Sequence, residues 1–403
     1  MKKRFSVVAV LALCLVTATV TYIFASSSAK NHYDAQLDKA YSDLAPFSKL
    51  LEIHSYVTQN YVGEIDEEQL LNGVYNGYFS GLGDRFSMYH TKEDMDEMNM
   101  TSDGKLVGIG VIVSYDIDDQ SIYIRRIMPD SPAEKAGLKP DDQIISVNGI
   151  KVSEKTYSQC VDAVKGEEGT TLHIEVKRGD KVMDMELTRA GVRSRVVYLD
   201  YLENNIAYIT ISEFSGNAAG DFIECMKEAQ AKNASGYVFD MRNNPGGDLE
   251  IICTILDYLL PEGPIIRVKD AAGNICFTRD SGKSCVDAPM TVLVNGNTAS
   301  AAELFTAALR DYHKATIIGT QTFGKGTMQH IITLSDGTGI RLSCYYYDPP
   351  YGENYHGVGI TPDIVLEQDE YYELRPYLLN ETNDIQIKAA KEALLKIIEG
   401  ENK

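Results

Sequence analysis

Hydrophobic positions follow three different patterns along the chain. Residues 30–100 carry apolar residues at helical spacing and include the run EEQLLNGVYNGYFS, which a glycine-rich turn follows. Residues 101–190 instead contain short runs rich in β-branched residues, such as GIGVIVSYD and SIYIRRIM, separated by turn residues. Beyond residue 195, strand-like and helix-like runs alternate. These patterns predict a helical region, a small β-rich module and an α/β core, in that order.

The β-rich module is interrupted by two helical stretches. The segment SPAEKAGLKPDD predicts a short helix that is entered at Pro132 and ended by Gly137. The segment TYSQCVDAVKGEEG predicts a second helix, and a hairpin is expected around residues 178–180. This order of elements predicts a small module that resembles a β-barrel.

The α/β core carries strands and helices in regular alternation. The runs IAYITISEF, GYVFDMR, MTVLVNG and KATIIGT predict strands, and helix-like runs such as GDFIECMKEAQAK and TASAAELFTAALRDY lie between them. Such alternation predicts βαβ units and a mixed, largely parallel sheet. The working site of such a sheet lies in loops at the carboxyl ends of its strands, here NNPGGD and NGNTAS. The tail NDIQIKAAKEALLKIIEGENK predicts an amphipathic helix.

The N-terminus has the character of a targeting segment. A basic stretch at residues 2–4 precedes an uncharged, largely apolar run from Phe5 to Ala25, and small residues follow up to residue 29. This order is typical of a signal peptide or of a retained membrane anchor, and the length of the run favours the anchor. The rest of the chain is then expected to be exported: anchored at the cell membrane and facing outward, or secreted or periplasmic if the segment is cleaved.

The composition narrows the classes of partner. The 403 residues suit several domains, and the formal net charge of −20 argues against binding to nucleic acid or broadly to anionic lipid. The histidines and cysteines show no metal-binding spacing. Cys276 and Cys285 flank a turn-rich segment, and both a disulfide between them and two free thiols remain open.

The stretch GTQTFGKGT around Lys325 matches the beginning of a phosphate-binding P-loop. A working P-loop continues with Ser or Thr and enters a helix, whereas Gly326 follows here and the next residues favour a strand. The sequence therefore disfavours a nucleotide as cofactor.

Lys325 has a second possible role as a general base. The sequence contains neither a G-x-S-x-G nor an H-E-x-x-H motif, but a serine can also be activated by a neutral lysine. Neutrality near pH 7 requires lowering the pKa of the lysine by about three, which burial can achieve. Phe323 is close in the chain, and no acidic residue lies within several positions. Gln329 would share a face with Lys325 on a strand or on a helix, and its amide can orient the amine without adding charge.

The serine candidate is Ser300, at the predicted start of a helix. Ser300 and Glu303 form the S-x-x-E pattern of a capping box, so plain helix capping is one interpretation. Catalysis is the other, because unpaired N–H groups surround such a position. The N–H of Ala301 and that of Gly246 or Gly247 could then bind an oxyanion.

Four motifs, FDMRNNPGG, NTASAAELFTAALRD, GTQTFGKGTMQ and HGVGITPD, closely resemble those of the carboxy-terminal processing protease family. The resemblance implies an exported serine endopeptidase with a ClpP/crotonase-like core, an inserted PDZ domain and no metal or cofactor. It implies nucleophile, base and orienting roles for Ser300, Lys325 and Gln329, with Gly246 and Ala301 as oxyanion donors. Departures include TASAAE at the nucleophile and LGDRFSMYH upstream, where Asp-Pro-Tyr-Ser is more usual, and an unusually long, tyrosine-rich LSCYYYDPPYGENYHG.

The resemblance also divides the chain. It implies a targeting segment at 1–29, a helical region at 30–100, a PDZ domain at 101–190, a protease core at 191–375 and a C-terminal helix at 376–403. In the PDZ domain, the carboxylate-binding loop corresponds to Gly108, Ile109, Gly110 and Val111. The expected function is cleavage of exported or envelope proteins near a C-terminus that the PDZ domain binds. The alternatives are an inactive PDZ-based scaffold and a β module that binds no peptide. A homodimer through the helical ends is also expected from the family.

Overall fold

The computed structural model describes residues 7–102, 105–193, 195–283, 285–373, 375 and 378–400. The chain divides into two compact units, Met1–Tyr75 and Asn76–Lys403. The first unit is helical, in agreement with the helical spacing of its apolar residues. Its elements are α1 (Val7–Leu44), a 3-10 turn (Ala45–Phe47), α2 (Ser48–Asn60) and the first part of α3 (Glu67–Ser80).

The predicted signal peptide or anchor falls on α1 and on residues 1–6, which lie outside the described residues. Within the described part of the chain, no helix combines the length and the apolar character needed to cross a membrane. Membrane anchoring stays a prediction from the sequence.

The second unit contains most of the secondary structure. Its first elements are β1 (Met88–His90), α4 (Lys92–Ser102), β2 (Lys105–Gly108), β3 (Val111–Asp116), β4 (Ser121–Ile127), α5 (Pro132–Lys135), β5 (Gln143–Val147), β6 (Ile150–Lys151), α6 (Tyr157–Val164), β7 (Thr171–Arg178), β8 (Lys181–Thr188) and β9 (Ala190–Arg193). These are followed by β10 (Val197–Leu202), β11 (Ile206–Ile211), α7 (Ala218–Ala231), β12 (Tyr237–Asp240), α8 (Leu249–Leu259), β13 (Gly263–Lys269), β14 (Ile275–Ser281), β15 (Met290–Val294), α9 (Ala301–Asp311), β16 (Ala315–Gly319), β17 (Thr327–Thr333), β18 (Gly339–Asp348), β19 (Ile364–Val365), α10 (Glu370–Glu373) and α11 (Ile385–Ile398).

The β-rich module is confirmed. Its antiparallel sheet has the order β3, β4, β5, β7, β8, with β6 paired to β5, and a separate ladder joins β2 to β9. The short helix α5 begins at Pro132 as predicted, and the Ser131 hydroxyl caps it by accepting the Glu134 N–H at 3.2 Å. Gly137 follows the helix with a φ of +79°, a conformation that favours glycine.

The α/β core contains the predicted, largely parallel sheet. Its order is β10, β11, β12, β15, β16, β19, and only the β10–β11 pair is antiparallel. Side chains alternate between two buried layers, as a strand period of two requires. Phe239 and Val292 pack towards α7, α8 and α9, whereas Val238 and Leu293 pack against α11. Because β12 and β15 are parallel neighbours, the loops NNPGGD and NGNTAS leave the same edge of the sheet, as predicted.

A second sheet was not predicted from the sequence. It has the order β1, β18, β13, β14, with β17 also paired to β18, and all of these pairs are antiparallel. The sheet brings β1 against β18, which lies some 250 residues later in the chain, at the register Met88–Arg341. Cys276 on β14 and Cys285, for which a disulfide remained open, are both free and exposed thiols.

Candidate active site

The two predicted loops meet at Ser300. Gly246 has a φ of +102°, and a Cβ atom at this position would lie 2.7 Å from the Ser300 Cβ and 2.9 Å from the Ala301 nitrogen. Such distances are shorter than van der Waals contact, so only glycine lets the NNPGGD loop come this close. The structure therefore brings Gly246, Ser300 and Ala301 together, as the sequence predicted.

Ser300 has a strained backbone. It joins β15 to α9 with φ +56° and ψ −119°, a region that residues other than glycine seldom occupy. The predicted capping box is present: the Ser300 N–H donates to the Glu303 carboxylate at 2.9 Å. The Glu303 N–H also donates to the Ser300 carbonyl at 2.9 Å. Helix capping, one of the two interpretations of Ser300, is therefore observed.

Glu303 does more than cap the helix. Its side chain is fully buried, and the carboxylate accepts four hydrogen bonds. The donors and distances are the N–H groups of Ser300 at 2.9 Å, Gly324 at 2.7 Å and Lys325 at 2.7 Å, and the Thr322 hydroxyl at 2.6 Å. One carboxylate thus joins the backbone of Ser300 to that of Lys325. The sequence revealed only the local half of this arrangement, because the S-x-x-E pattern contains no information about residues 322–325.

The same hydrogen bonds argue against a P-loop. A P-loop binds phosphate through free backbone N–H groups before and at its lysine. Here the N–H groups of Gly324 and Lys325 already donate to Glu303. A buried carboxylate at this position would also repel a phosphate.

Lys325 is half-buried, with its amine against an aromatic side chain. Its Nζ atom is 4.6 Å from the centre of the Phe86 ring, and the Phe323 ring lies beside Phe86. Burial lowers the pKa of Lys325, as predicted, and the positive charge of Arg341 lowers it further. The acidic residues that the local sequence lacks are nevertheless near in space, because the charges of Asp84 and Glu303 act to raise this pKa.

Gln329 lies on β17, but Lys325 precedes this strand, and a register shift between Met328 and Gln329 interrupts the pairing with β18. Simple strand alternation therefore does not place Lys325 and Gln329 on one face. The Gln329 amide nitrogen donates to the Ser343 hydroxyl at 3.1 Å. Within the described residues, no hydrogen bond joins the Lys325 amine to Gln329 or to Ser300.

Two buried tyrosines complete the site. The Tyr347 hydroxyl donates to the Lys325 carbonyl at 2.8 Å, and Tyr355 lies 3.1 Å from the Tyr347 oxygen. The Ser300 hydroxyl is also within hydrogen-bonding reach of Tyr347. Burial raises the pKa of both phenols well above the ordinary value, so they remain neutral. The tyrosine-rich segment that departs from the family pattern thus supplies the hydroxyl groups next to Ser300.

The predicted oxyanion donors differ in their availability. Among the described residues, the N–H groups of Ala301 and Gly247 have no acceptor. The Gly246 N–H, in contrast, donates to the Asn244 side-chain oxygen at 2.8 Å. Of the two glycines considered from the sequence, Gly247 is therefore the one with an unengaged N–H in this structure.

The predicted carboxylate-binding loop lies at the opening of an apolar cavity. Residues 108–111 line a space of about 110 Å³ together with Val161 and Val164 of α6. The N–H groups of Ile109 and Gly110 have no acceptor in the described part of the chain. The adjacent strand β3 is at the edge of its sheet and can therefore accept a further strand. Among the described residues, no group of three or more His, Cys, Asp or Glu side chains is arranged to hold a metal ion.

Comparison with known proteins yields three family matches. The profile of Peptidase family S41 matches residues 205–366, a PDZ domain matches residues 97–177, and the N-terminal domain of the activating protease CtpB matches residues 14–94.

Two relatives come from Bacillus subtilis (strain 168). The carboxy-terminal processing protease CtpB is 31% identical over 356 residues, which are 86% of this chain and 72% of that protein. The carboxy-terminal processing protease CtpA is 34% identical over 334 residues, which are 82% of this chain and 71% of that protein. Among solved structures, a putative S41 protease from Bacteroides fragilis NCTC 9343 has a TM-score of 0.56 at 20% identity, with coverage of 85% of this chain and 92% of that one. This likeness supports the fold.

The burial of Lys325 predicts the effect of removing its apolar neighbour. In a Phe86→Ala variant, water should reach the amine and raise the pKa of Lys325 towards the ordinary lysine value, because burial is the largest influence on this pKa. NMR titration of ¹³C-methylated lysines measures the pKa, and a Lys325→Arg variant assigns the signal. Phe47→Ala, at a phenylalanine in the first unit, is the matched control. An unchanged or lower pKa in Phe86→Ala would contradict this account.

Proposed function

Because this chain belongs to the carboxy-terminal processing protease family and is a serine-type peptidase, we propose that Ser300 is its nucleophile and Lys325 its general base. Gln329 orients the base. The observation that carries this assignment is the Glu303 carboxylate, which binds the backbone N–H groups of both Ser300 and Lys325. A shared, buried acceptor is a rigid means of keeping two groups from distant parts of a chain close together.

The proposed reaction uses the lysine twice. Neutral Lys325 removes the proton from the Ser300 hydroxyl as its oxygen attacks a peptide carbonyl. The Ala301 N–H and the Gly246–Gly247 loop stabilise the negative oxygen that forms. The protonated lysine then gives its proton to the leaving amine, and the peptide bond breaks. Lys325 next activates a water molecule, which hydrolyses the acyl-enzyme and restores Ser300.

Two local rearrangements are part of this proposal. The Lys325 amine lies over the Phe86 ring and has to turn towards Ser300. The Gly246 N–H has to break its hydrogen bond to the Asn244 side-chain oxygen before it can donate to the oxyanion. The Gly247 N–H has no such hydrogen bond to break among the described residues. Substrate binding would favour both movements if the substrate interacts better with the rearranged site.

The proposed substrate is a protein with a free C-terminus. The unengaged N–H groups of Ile109 and Gly110 suit a terminal carboxylate, and the adjacent apolar cavity suits the side chain of the last residue. The edge strand β3 would pair with the peptide backbone. Cleavage would then occur near the C-terminus that the PDZ domain holds.

We also propose that this activity takes place outside the cytoplasm, on the support of the basic and apolar N-terminal sequence. Exported or cell-envelope proteins would then be the substrates. A retained anchor and a homodimer through the helical ends stay predictions from the sequence and from the family.

The proposed dyad predicts which variants lose activity. Ser300→Ala and Lys325→Ala in the full-length chain should each reduce cleavage of an unfolded protein by roughly a thousandfold or more. Lys232→Ala, at an exposed lysine, is the control. The wild-type rate should rise with pH as Lys325 loses its proton, with a midpoint below the ordinary lysine pKa because burial lowers that pKa. Cleavage at the wild-type rate in both site variants would refute the dyad.

The PDZ assignment predicts dependence on the terminal charge. In fluorescence anisotropy with the Ser300→Ala variant, a labelled peptide with a free carboxylate should bind at least about tenfold more tightly than its C-terminally amidated form. The reason is that backbone N–H groups hydrogen-bond more strongly to a charged carboxylate than to a neutral amide. Equal affinity for the two peptides would show that this loop does not recognise a terminal carboxylate.

A further inference from the structure

The segment Asp84–Ser87 is far from Ser300 and Lys325 in the chain but contacts the site directly. It precedes β1, and the pairing of β1 with β18 places it beside Ser343. The guanidinium carbon of its second residue, Arg85, lies 4.0 Å from the centre of the Phe323 ring. The ring of its third residue, Phe86, forms the apolar surface below the Lys325 amine. The segment is also one of the places where the sequence departs from the usual pattern of the family.

Hydrogen bonds connect this segment to Ser343. The Ser87 hydroxyl donates to the Asp84 carboxylate at 2.6 Å and accepts the Ser343 N–H at 3.0 Å. The Ser343 side chain is also close enough to the Asp84 carboxylate to help lower the pKa of that group. Although burial alone would raise the pKa of Asp84, the hydrogen bonds from Ser87, Phe86 and Ser343 lower it, so Asp84 remains ionised and acts only as an acceptor.

The direction of these bonds determines the role of the Ser343 oxygen. Because an amide nitrogen can only donate, the Ser343 oxygen is the acceptor in its 3.1 Å hydrogen bond with the Gln329 amide nitrogen. The same nitrogen lies 3.3 Å from the Thr327 hydroxyl. An amide whose nitrogen is held in this way must direct its oxygen elsewhere. The Gln329 oxygen has no donor among the described residues and is therefore free to receive one from Lys325.

We propose that Ser343, held by Asp84 and Ser87, is a positioning residue that fixes the orientation of the Gln329 amide so that its oxygen is presented to the Lys325 amine. This inference rests on the proposed roles of Lys325 and Gln329. The segment Asp84–Ser87 then serves the base in two ways, through the apolar surface of Phe86 and through the orientation of Gln329. A simpler view is that Ser343 and Gln329 form only a cross-strand pair between β17 and β18, where they are register partners.

A double-variant cycle separates these two views. In the full-length chain, Gln329→Ala and Ser343→Ala should each lower kcat by about tenfold or more, the scale on which misplacement of a catalytic group acts, with little change in KM. Because Ser343 acts through Gln329, the double variant should be no slower than Gln329→Ala alone. Ser343→Thr keeps the hydroxyl and should restore most of the activity. A wild-type kcat for Ser343→Ala, or losses that multiply in the double variant, would overturn the proposal.

A variant of Asp84 gives an independent test of the link between this segment and Lys325. Its negative charge raises the pKa of Lys325, so Asp84→Asn, which keeps an acceptor oxygen, should move the midpoint of the pH–rate profile to lower pH. Ser343→Ala keeps this charge and should not produce that shift. An unchanged or higher midpoint for Asp84→Asn would overturn the link between Asp84 and the base. If Ser300→Ala cleaves as fast as the wild type, the proposed function itself fails. If Ser300→Ala is inactive but the losses of kcat in Gln329→Ala and Ser343→Ala multiply in the double variant, only the role of Ser343 is refuted.

Discussion

The carboxylate of Glu303 is the interaction on which the candidate site depends. It is buried, and it accepts hydrogen bonds from Ser300, Thr322, Gly324 and Lys325. A hydrogen bond to a charged group contributes about 1.5–3 kcal/mol, and a buried donor that loses its acceptor costs a similar amount. The start of α9 and the segment before β17 are therefore joined by one group that cannot be removed without leaving several buried donors unpaired.

This arrangement explains two features that would otherwise be unfavourable. The strained backbone of Ser300 is tolerated because its N–H and carbonyl are both engaged by the first turn of α9. The pKa of Lys325 reflects opposing influences: burial and Arg341 lower it, whereas Asp84 and Glu303 raise it. Because Glu303 binds the backbone of Lys325 and not its amine, the site can hold the lysine in place while burial still lowers the pKa of the amine.

The sequence predicted those parts of the molecule that depend on local patterns. Alternating strand-like and helix-like runs were sufficient for the parallel sheet, and four short motifs, which include Gly246, Ser300 and Lys325, were sufficient for the family resemblance. The antiparallel sheet was missed because β1 pairs with β18 across some 250 residues. The contacts that Glu303 makes beyond Ser300, and the position of Phe86 under Lys325, are likewise long-range, and no local periodicity encodes them.

One carboxylate, that of Glu303, holds the backbones of Ser300 and Lys325 together. The most direct test is residue-resolved amide hydrogen exchange on the wild type and on a Glu303→Gln variant, whose side-chain amide cannot accept all of these hydrogen bonds. In the variant, protection should be lost together at the N–H groups of Ser300, Gly324 and Lys325, while the amides of β12 keep theirs. Unchanged protection at these positions, or loss at Ser300 alone, would contradict it.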